Sequence, residues 1–461
     1  MATLSLPTNP SLEQMRKQAR DLQRKERAAR PDEAYPLHAA QLVVARGYGF
    51  ASWPRLVHYF DVVDVYGRPA SSPRAAGGAD RFTHLACSNY SDDLPEYGEM
   101  AAAILAESPD LTAGDIWAAA AAADIDAVRA ILAGDPRMAS AVGGPYRWEP
   151  LCYLTYSRLD PMPSQDAVLT VARLLLDAGA DPNAGYLWGG LPTPFTALTG
   201  VFGEGEQGAG RTPRHPYEVP LARLLLEAGA DPNDGQALYN RMFRPDNSHL
   251  ELLFAYGLGQ GDGGPWQQRL GAEALDTPDV MLRRQLNQAV PAGFVERVRL
   301  LAEHGVDVTA PLSNGRLPID VAAGNGDRAM LSVLRDAGSR PPRLSHAKKR
   351  VAAIMSGDRS AATDALAISP NLVRHAYDAG RMDVVPVLVE CGFDVDARGR
   401  DGATALHWTA WNGDIEAARI LLAAGADPDL REPKYDATPL GWAEYARQTA
   451  YVEMIKPLTK N

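Results

Sequence analysis

The sequence predicts an all-α chain, a solenoid of stacked helix pairs preceded by a small helical module. Three observations carry this. A ten-residue segment returns almost unchanged: Leu174-Leu175-Leu176-Asp177-Ala178-Gly179-Ala180-Asp181-Pro182-Asn183, then Leu224 to Asn233, then Ile420 to Asp429. A second signature returns in the same register, from Asn314 to Asp327 and from Asp401 to Asp414, 87 residues on. The first 66 residues hold three capped, amphipathic helical patterns. A chain of 461 residues is too long for one compact core, so an extended array or several domains is required.

The elements follow in chain order. Ser11-Leu12-Glu13-Gln14 is a capping box, in which the serine hydroxyl and the glutamine amide satisfy donors at a helix start. Leu12, Met15, Ala19 and Leu22 then form one apolar stripe, with Arg16, Lys17, Arg20, Arg24, Lys25 and Arg27 on the remaining surface. A second helix runs from Leu37 to about Arg46, and Ser52-Trp53-Pro54 opens a third. Residues 1–66 therefore read as a helical module, separable or, alternatively, an integral cap that shields the apolar face of the degenerate first repeats. Residues 67–80, Gly-Arg-Pro-Ala-Ser-Ser-Pro-Arg-Ala-Ala-Gly-Gly-Ala-Asp, have no apolar period and read as a linker. From residue 81 to 461 the chain repeats. Gly305 to Gly338 and Gly392 to Gly425 are each 33 residues, and Gly179 to Gly229 is 50, one period plus an insertion that falls near 203–220.

A 33-residue period, opened by Thr404-Ala405-Leu406-His407 and closed by the leucine–glycine–alanine–aspartate segment, resembles the ankyrin repeat. The physics agrees. Thr404 caps the first helix of a pair, Pro439 suits a first turn, and Gly425 permits a left-handed exit from the second helix. A single pair cannot bury its apolar face, so neighbours must stack. The resemblance implies about ten or eleven units, clearest at 147–234 and 402–461. The Ser-Leu-Glu-Gln helix, Gly49-Phe50-Ala51-Ser52-Trp53-Pro54 and Gln236 to Phe243 are further similar to segments of bacterial ankyrin-repeat proteins, which carry no activity over to this chain.

Composition excludes several functions. Hydrophobic residues at 46% and charged residues at 22% exclude wholesale disorder. No apolar run is long enough to span a membrane, and the N-terminus lacks a signal-peptide pattern. Cys87, Cys152 and Cys391 are dispersed, which fits a reducing, cytoplasmic setting. The net charge is −11, while residues 1–60 carry nine Lys/Arg against five Asp/Glu. An acidic body repels phosphates, so only the N-terminal helix keeps nucleic-acid contact open.

Chemical motifs are sparse. Gly203 to Gly208 fits G-x-G-x-x-G, but Glu204, Glu206 and the nearby Pro213 and Pro216 do not suit a dinucleotide site. No metal-ligand or nucleophile motif is present, so no metal or cofactor is expected and no catalytic residue is assigned. His407 sits where ankyrin repeats use histidine for local hydrogen bonding, and Cys152 at its equivalent reads as packing.

The functional signal is aromatic. Aligned repeats give two outward positions on each inner helix: Tyr153 and Tyr156, Gly200 and Gly203, Asn240 and Phe243, Val321 and Gly324, Trp408 and Trp411, Trp442 and Tyr445. The resemblance implies that these face a concave groove. Seven of the twelve are aromatic in a chain that is 7% aromatic. Aromatic rings supply large contact area with few rotors to freeze, and interfaces favour them. The sequence thus points to a protein-binding scaffold whose groove is lined by Tyr153, Tyr156, Phe243, Trp408, Trp411, Trp442 and Tyr445, with no membrane role. A different class remains open. Glu204, Glu206 and His215 of the inserted loop, with Gln236, Tyr239, Asn240 and Arg241, could form a polar notch for a small molecule or a reaction, Arg241 holding an anion. Nucleic-acid contact through the basic first helix is the remaining alternative.

Overall fold

The computed structural model describes residues 4–70, 77–206, 208, 210–271 and 274–460. Among them are 26 α-helices and three short strands, and the fold class is an all-α repeat solenoid. The chain divides into two compact units.

The first unit comprises Met1–Glu204, Thr212–Arg241 and Leu252–Met281. Its opening helix, Leu12–Ala29, carries the expected capping box, with Gln14 N–H donating to Ser11 Oγ at 3.2 Å and Ser11 N–H to Gln14 Oε1 at 3.0 Å. Met15 and Ala19 are fully buried, while Arg16, Lys17, Arg20, Arg24, Lys25 and Arg27 are exposed. Helices Leu37–Gly47 and Trp53–Tyr66 complete the module, the latter started by Ser52.

This module is not a free-standing body. Its core of Met15, Ala45, Leu56, Tyr59 and Phe60 is continuous with Leu187, Trp266 and Leu270 from the array. The Tyr59 hydroxyl donates to Gly190 O, and a His58 ring nitrogen lies 3.0 Å from Arg269 O. The expected linker also changes character. Gly67–Arg68 is a strand, β1, paired in parallel with β2, Gly185–Trp188, and helix Gly78–Ala86 has begun by Gly78. Residues 71–76 lie outside the described residues. Strand β2 turns back onto β3, Pro194–Thr196, so the array contributes a hairpin to which β1 adds an edge. An apolar face shared in this way acts as a cap on the repeats rather than as a tethered domain.

Helix pairs then follow at the predicted register. Helices Pro150–Tyr156 and Gln165–Asp177 form one, Ala197–Phe202 and Glu218–Glu227 the next. The insertion separates the helices of this second pair. Part of it, Gly205–Arg211, belongs to the second unit, with Met242–Glu251 and Leu282–Asn461.

The second unit closes with the most regular repeats. Helices Ala405–Asn412 and Ile415–Ala423 pair, then Pro439–Tyr445 and Thr449–Ile455. Leu406, Ala410, Ala418, Leu421, Ala443, Tyr451 and Ile455 form one buried core between them. Gly425 has φ +95°, the left-handed exit required by its place after the second helix. Thr404 and His407 act as expected of a repeat opening. His407 Nδ1 accepts from Thr404 N–H at 3.4 Å, and its Nε2 reaches Ala437 O of the next repeat at 3.1 Å. Burial pushes the imidazole below its usual pKa, so it holds this link as a neutral ring.

Candidate functional site

The seven aromatic positions separate by region. Trp408 and Trp411 stand on Ala405–Asn412, and Trp442 and Tyr445 on Pro439–Tyr445, each pair three residues apart and so on one helix face. Their rings form a ladder. Trp408 meets Trp442 edge-on at 5.5 Å between centroids, Trp442 meets Trp411 at 5.9 Å, and Trp411 stacks on Tyr445 at 5.9 Å. The three tryptophans are half-buried and Tyr445 is 62% exposed. Polar partners fix the rings: Trp408 Nε1 donates to Asp401 Oδ2 at 2.7 Å, and the Arg374 guanidinium lies 5.4 Å from the Trp408 ring centre. Arg374 is held in turn by Asp378 at 3.0 Å and Asp401 at 3.5 Å.

Phe243, half-buried, lies in the same unit. Arg297 fixes its segment, donating from a fully buried guanidinium to Met242 O, Arg244 O, Asp246 O and Asn247 Oδ1 at 2.6–2.9 Å. A cleft of about 910 Å³ runs here, with Phe243, Phe294, Tyr377, Trp408, Asp378 and Asp414 among its walls. Phe243 and Trp408 thus share one cleft, continuous through Trp408 with the ladder.

Tyr153 and Tyr156 do not line an open surface. Both are fully buried. Tyr156 packs against Trp148 at 5.0 Å and Tyr186 at 5.9 Å, and its hydroxyl donates to Thr196 O at 2.9 Å. Tyr153 packs against Trp148 at 5.3 Å and donates to Gly143 O at 2.9 Å. The rings that cover them come from two loops: Tyr146 and Trp148 from the one before Pro150–Tyr156, Tyr186 and Phe195 from the β2–β3 hairpin. Tyr90 meets Phe195 at 5.1 Å and completes the cluster. Gly200, an expected groove position, is where Tyr156 comes closest, and a Cβ there would sit 2.4 Å from the ring.

The polar notch is closed as well. Arg241 is 1% exposed. Its guanidinium lies 2.5 Å from Glu218 Oε1 and 3.6 Å from Glu204 Oε2, and Arg214 Nε donates to Glu204 Oε1 at 2.5 Å. Glu204, a candidate for chemistry, and Glu218 therefore neutralise the arginine that was a candidate for anion binding. Gln236 donates to Asn240 Oδ1 at 2.8 Å, and Asn240 to Tyr90 Oη at 3.0 Å, while Tyr239 is half-buried on the same helix. His215 is 1% exposed, and burial together with Arg158 lowers its pKa well below the usual range. Glu206 is exposed and belongs to the second unit. Among the described residues no group of three or more His, Cys, Asp or Glu could hold a metal, and no helix is long and apolar enough to cross a membrane.

Three residues that matter at the ladder were not singled out from sequence: Asp401, Arg374 and Arg211, whose guanidinium lies 4.6 Å from the Tyr445 ring centre. Asp401 lies in the loop before the N-cap Thr404, so no helical spacing in the sequence links it to Trp408.

Comparison with known proteins bears on the repeats themselves. Residues 372–460, the stretch that bears Arg374, Trp408, Trp411, Trp442 and Tyr445, match the family of ankyrin repeats in three copies. The chain is 40% identical over 62 residues to Palmitoyltransferase Hip14 of Drosophila melanogaster, 13% of this chain and 10% of that protein. It is 39% identical over 75 residues to Protein PhlB of Serratia liquefaciens, 16% of this chain and 33% of that one. It is 28% identical over 96 residues to an ankyrin repeat protein of Acanthamoeba polyphaga mimivirus, 20% and 13% of the two chains. The matched segments thus span between 10% and 33% of these relatives. The chain carries ankyrin repeats, a general protein-interaction motif.

Proposed function

We propose that the chain is a protein-binding scaffold that docks a partner segment on the aromatic ladder of its second unit. The observation that carries this reading is the set Trp408, Trp411, Trp442 and Tyr445: four aromatic side chains at the outward positions of consecutive inner helices, none of them fully covered. Two features support it. Asp401 holds Trp408 by its indole nitrogen, so the ring is preorganised and little rotamer entropy remains to be lost on binding. The cleft beside Trp408 offers apolar walls at Phe243 and Phe294 with carboxylates at Asp378 and Asp414, the mixture of apolar anchor and polar rim found in peptide-binding surfaces.

Truncating Trp408 tests the reading. Burial of one such ring against a partner contributes about 1.5–3 kcal/mol, so Trp408→Ala is expected to weaken binding of a captured or library-selected partner by roughly tenfold or more. The same change leaves the inter-repeat core intact, so it should cost less stability than Leu421→Ala, which removes a fully buried side chain at about 2–5 kcal/mol. Unchanged partner affinity, combined with a stability loss equal to that of Leu421→Ala, would make the tryptophan a packing residue.

A further inference from the structure

Helix Leu12–Ala29 sets a block of positive charge on an acidic chain. Residues 12–30 hold seven Lys/Arg against three Asp/Glu, whereas residues 61–461 hold 37 against 52. At 3.6 residues per turn, Arg16, Lys17, Arg20, Arg24 and Arg27 fall within about 100° of arc, and all five are exposed. One carboxylate shares that arc, Glu13, in the first turn, where the helix dipole favours an anion. Asp21 stands beside it and pairs with Arg24. Among the described residues Arg16, Lys17 and Arg20 have no hydrogen-bond or ion-pair partner for their side chains. A second basic run, residues 340–350 with five Lys/Arg, is partly neutralised: Arg340 pairs with Asp320 at 2.6 Å and Arg350 with Asp364 at 3.1 Å.

The row is held in place before any partner arrives. Its helix starts in a capping box and buries Met15 and Ala19 fully. Near its other end Gln23 Nε2 and Arg27 Nε both donate to Tyr35 O at 3.1 Å. Fixed charges of this kind lose little freedom on binding.

The chemistry of the face selects what it meets. A helix that lies on a membrane puts its apolar side into lipid, but Met15 and Ala19 already pack in the core of the first unit. Single-stranded nucleic acid is held by stacking of bases on aromatic rings, and the basic arc carries none. What remains is a straight row of charge from Arg16 to Arg27, about 16 Å long. One strand of B-form DNA presents about five phosphates over that length. Four of the five cations are arginines, whose planar fork matches phosphate oxygens. The exposed half of a helix about 10–12 Å across fits the lip of a B-form major groove, about 12 Å wide, and not the narrow major groove of A-form RNA.

We infer that the exposed face of helix Leu12–Ala29, with Arg16, Lys17, Arg20, Arg24 and Arg27, docks on the phosphate backbone of duplex DNA without reading its sequence. The acidic remainder of the chain repels the same phosphates, which confines contact to this face.

Fluorescence anisotropy of a labelled duplex of about 20 base pairs, titrated with the full chain between about 50 and 200 mM salt, reads affinity and the number of phosphates engaged. Five contacts predict a slope of log K against log salt of about −4.5. Arg16→Ala/Lys17→Ala/Arg20→Ala keeps good helix formers at exposed positions, so the fold is expected to survive. The slope should become shallower by about 3, and affinity should fall about tenfold or more, equally for duplexes of different sequence. Arg343→Ala/Lys348→Ala/Lys349→Ala takes the same charge from the other basic run and is expected to change neither. Trp408→Ala is also expected to leave duplex affinity unchanged, so failure here and failure of the ladder reading are separate results. A duplex that does not bind at about 50 mM salt, a slope unaltered in the helix variant, or equal losses in the two triple variants would each overturn the inference. So would tighter binding to a single strand of the same length, or binding to phosphatidylserine vesicles without binding to the duplex.

Discussion

Tyr153 and Tyr156 in the first unit and Trp408 and Trp411 in the second hold equivalent positions on inner helices, yet the first pair is fully buried and the second is half-open. The difference lies in what the neighbouring loops supply. Ahead of Pro150–Tyr156 the chain places Tyr146 and Trp148, and beyond it the β2–β3 hairpin places Tyr186 and Phe195. These rings fill the face that the repeat would otherwise present. The loops beside the Trp408 helix, residues 391–404 and 424–438, hold only Phe393 and Tyr435 as aromatic residues, and among the described residues no strand lies there. Helical register therefore fixes which way a side chain points, while the side chains of the neighbouring loops decide whether it meets solvent. The same aromatic residue is a core residue in one repeat and a contact residue in another.

Several changes break or sharpen this contrast, and the largest acts at the cap. Removing residues 4–66 strips Leu187, Trp266 and Leu270 of their covering side chains. Native-state hydrogen exchange is expected to show loss of protection in helix Gly264–Leu270 and the hairpin, with the second unit's repeats still protected. Full protection in the truncated chain would show that the module is dispensable. Next in size is Tyr156→Ala, which empties a ring-sized space in the buried cluster and should cost about 3–5 kcal/mol in denaturant unfolding. Gly200→Ala attacks the same cluster from the other side. The added Cβ would meet the Tyr156 ring at 2.4 Å, and overpacking of this kind costs about 1–3 kcal/mol.

A smaller effect concerns pH. Burial depresses the pKa of His407, so below the ordinary histidine range the unfolded chain binds a proton that the folded chain refuses. The neutral imidazole's contribution is complete above about pH 6.5 and is lost as pH falls toward the lowered folded value. His407→Gln keeps an acceptor and a donor without the titration. The difference between wild-type and variant unfolding free energies is expected to decline on acidification with a slope of up to about 1.4 kcal/mol per pH unit. A difference independent of pH would mean that the ring is protonated in place.

Much of the fold was legible because it rests on local, periodic chemistry. The 33-residue spacing, the threonine–histidine opening and the glycine after each second helix are short-range requirements, and Thr404, His407 and Gly425 meet them as expected. The capping box at Ser11 is local in the same way. What the sequence hid is non-local. Nothing near Leu56 or Tyr59 says that they pack on Leu187 and Trp266 more than a hundred residues on, so the module read as separable. Glu204 and Arg241 were both visible as polar residues with site potential, but only the folded chain shows that they neutralise each other. Aromatic enrichment marked Tyr156 and Trp411 alike, because periodicity carries direction and not cover.

The most direct measurement compares unfolding free energies of Tyr156→Ala and Tyr445→Ala in the same denaturant series. Tyr445 is 62% exposed and Tyr156 is fully buried, although both sit at the outward positions of inner helices. The expected result is a loss of about 3–5 kcal/mol for Tyr156→Ala and a change within about 0.5 kcal/mol for Tyr445→Ala. Comparable losses at the two positions would contradict the division between a packed aromatic cluster and an open aromatic ladder, and with it the assignment of Trp408, Trp411, Trp442 and Tyr445 to partner binding.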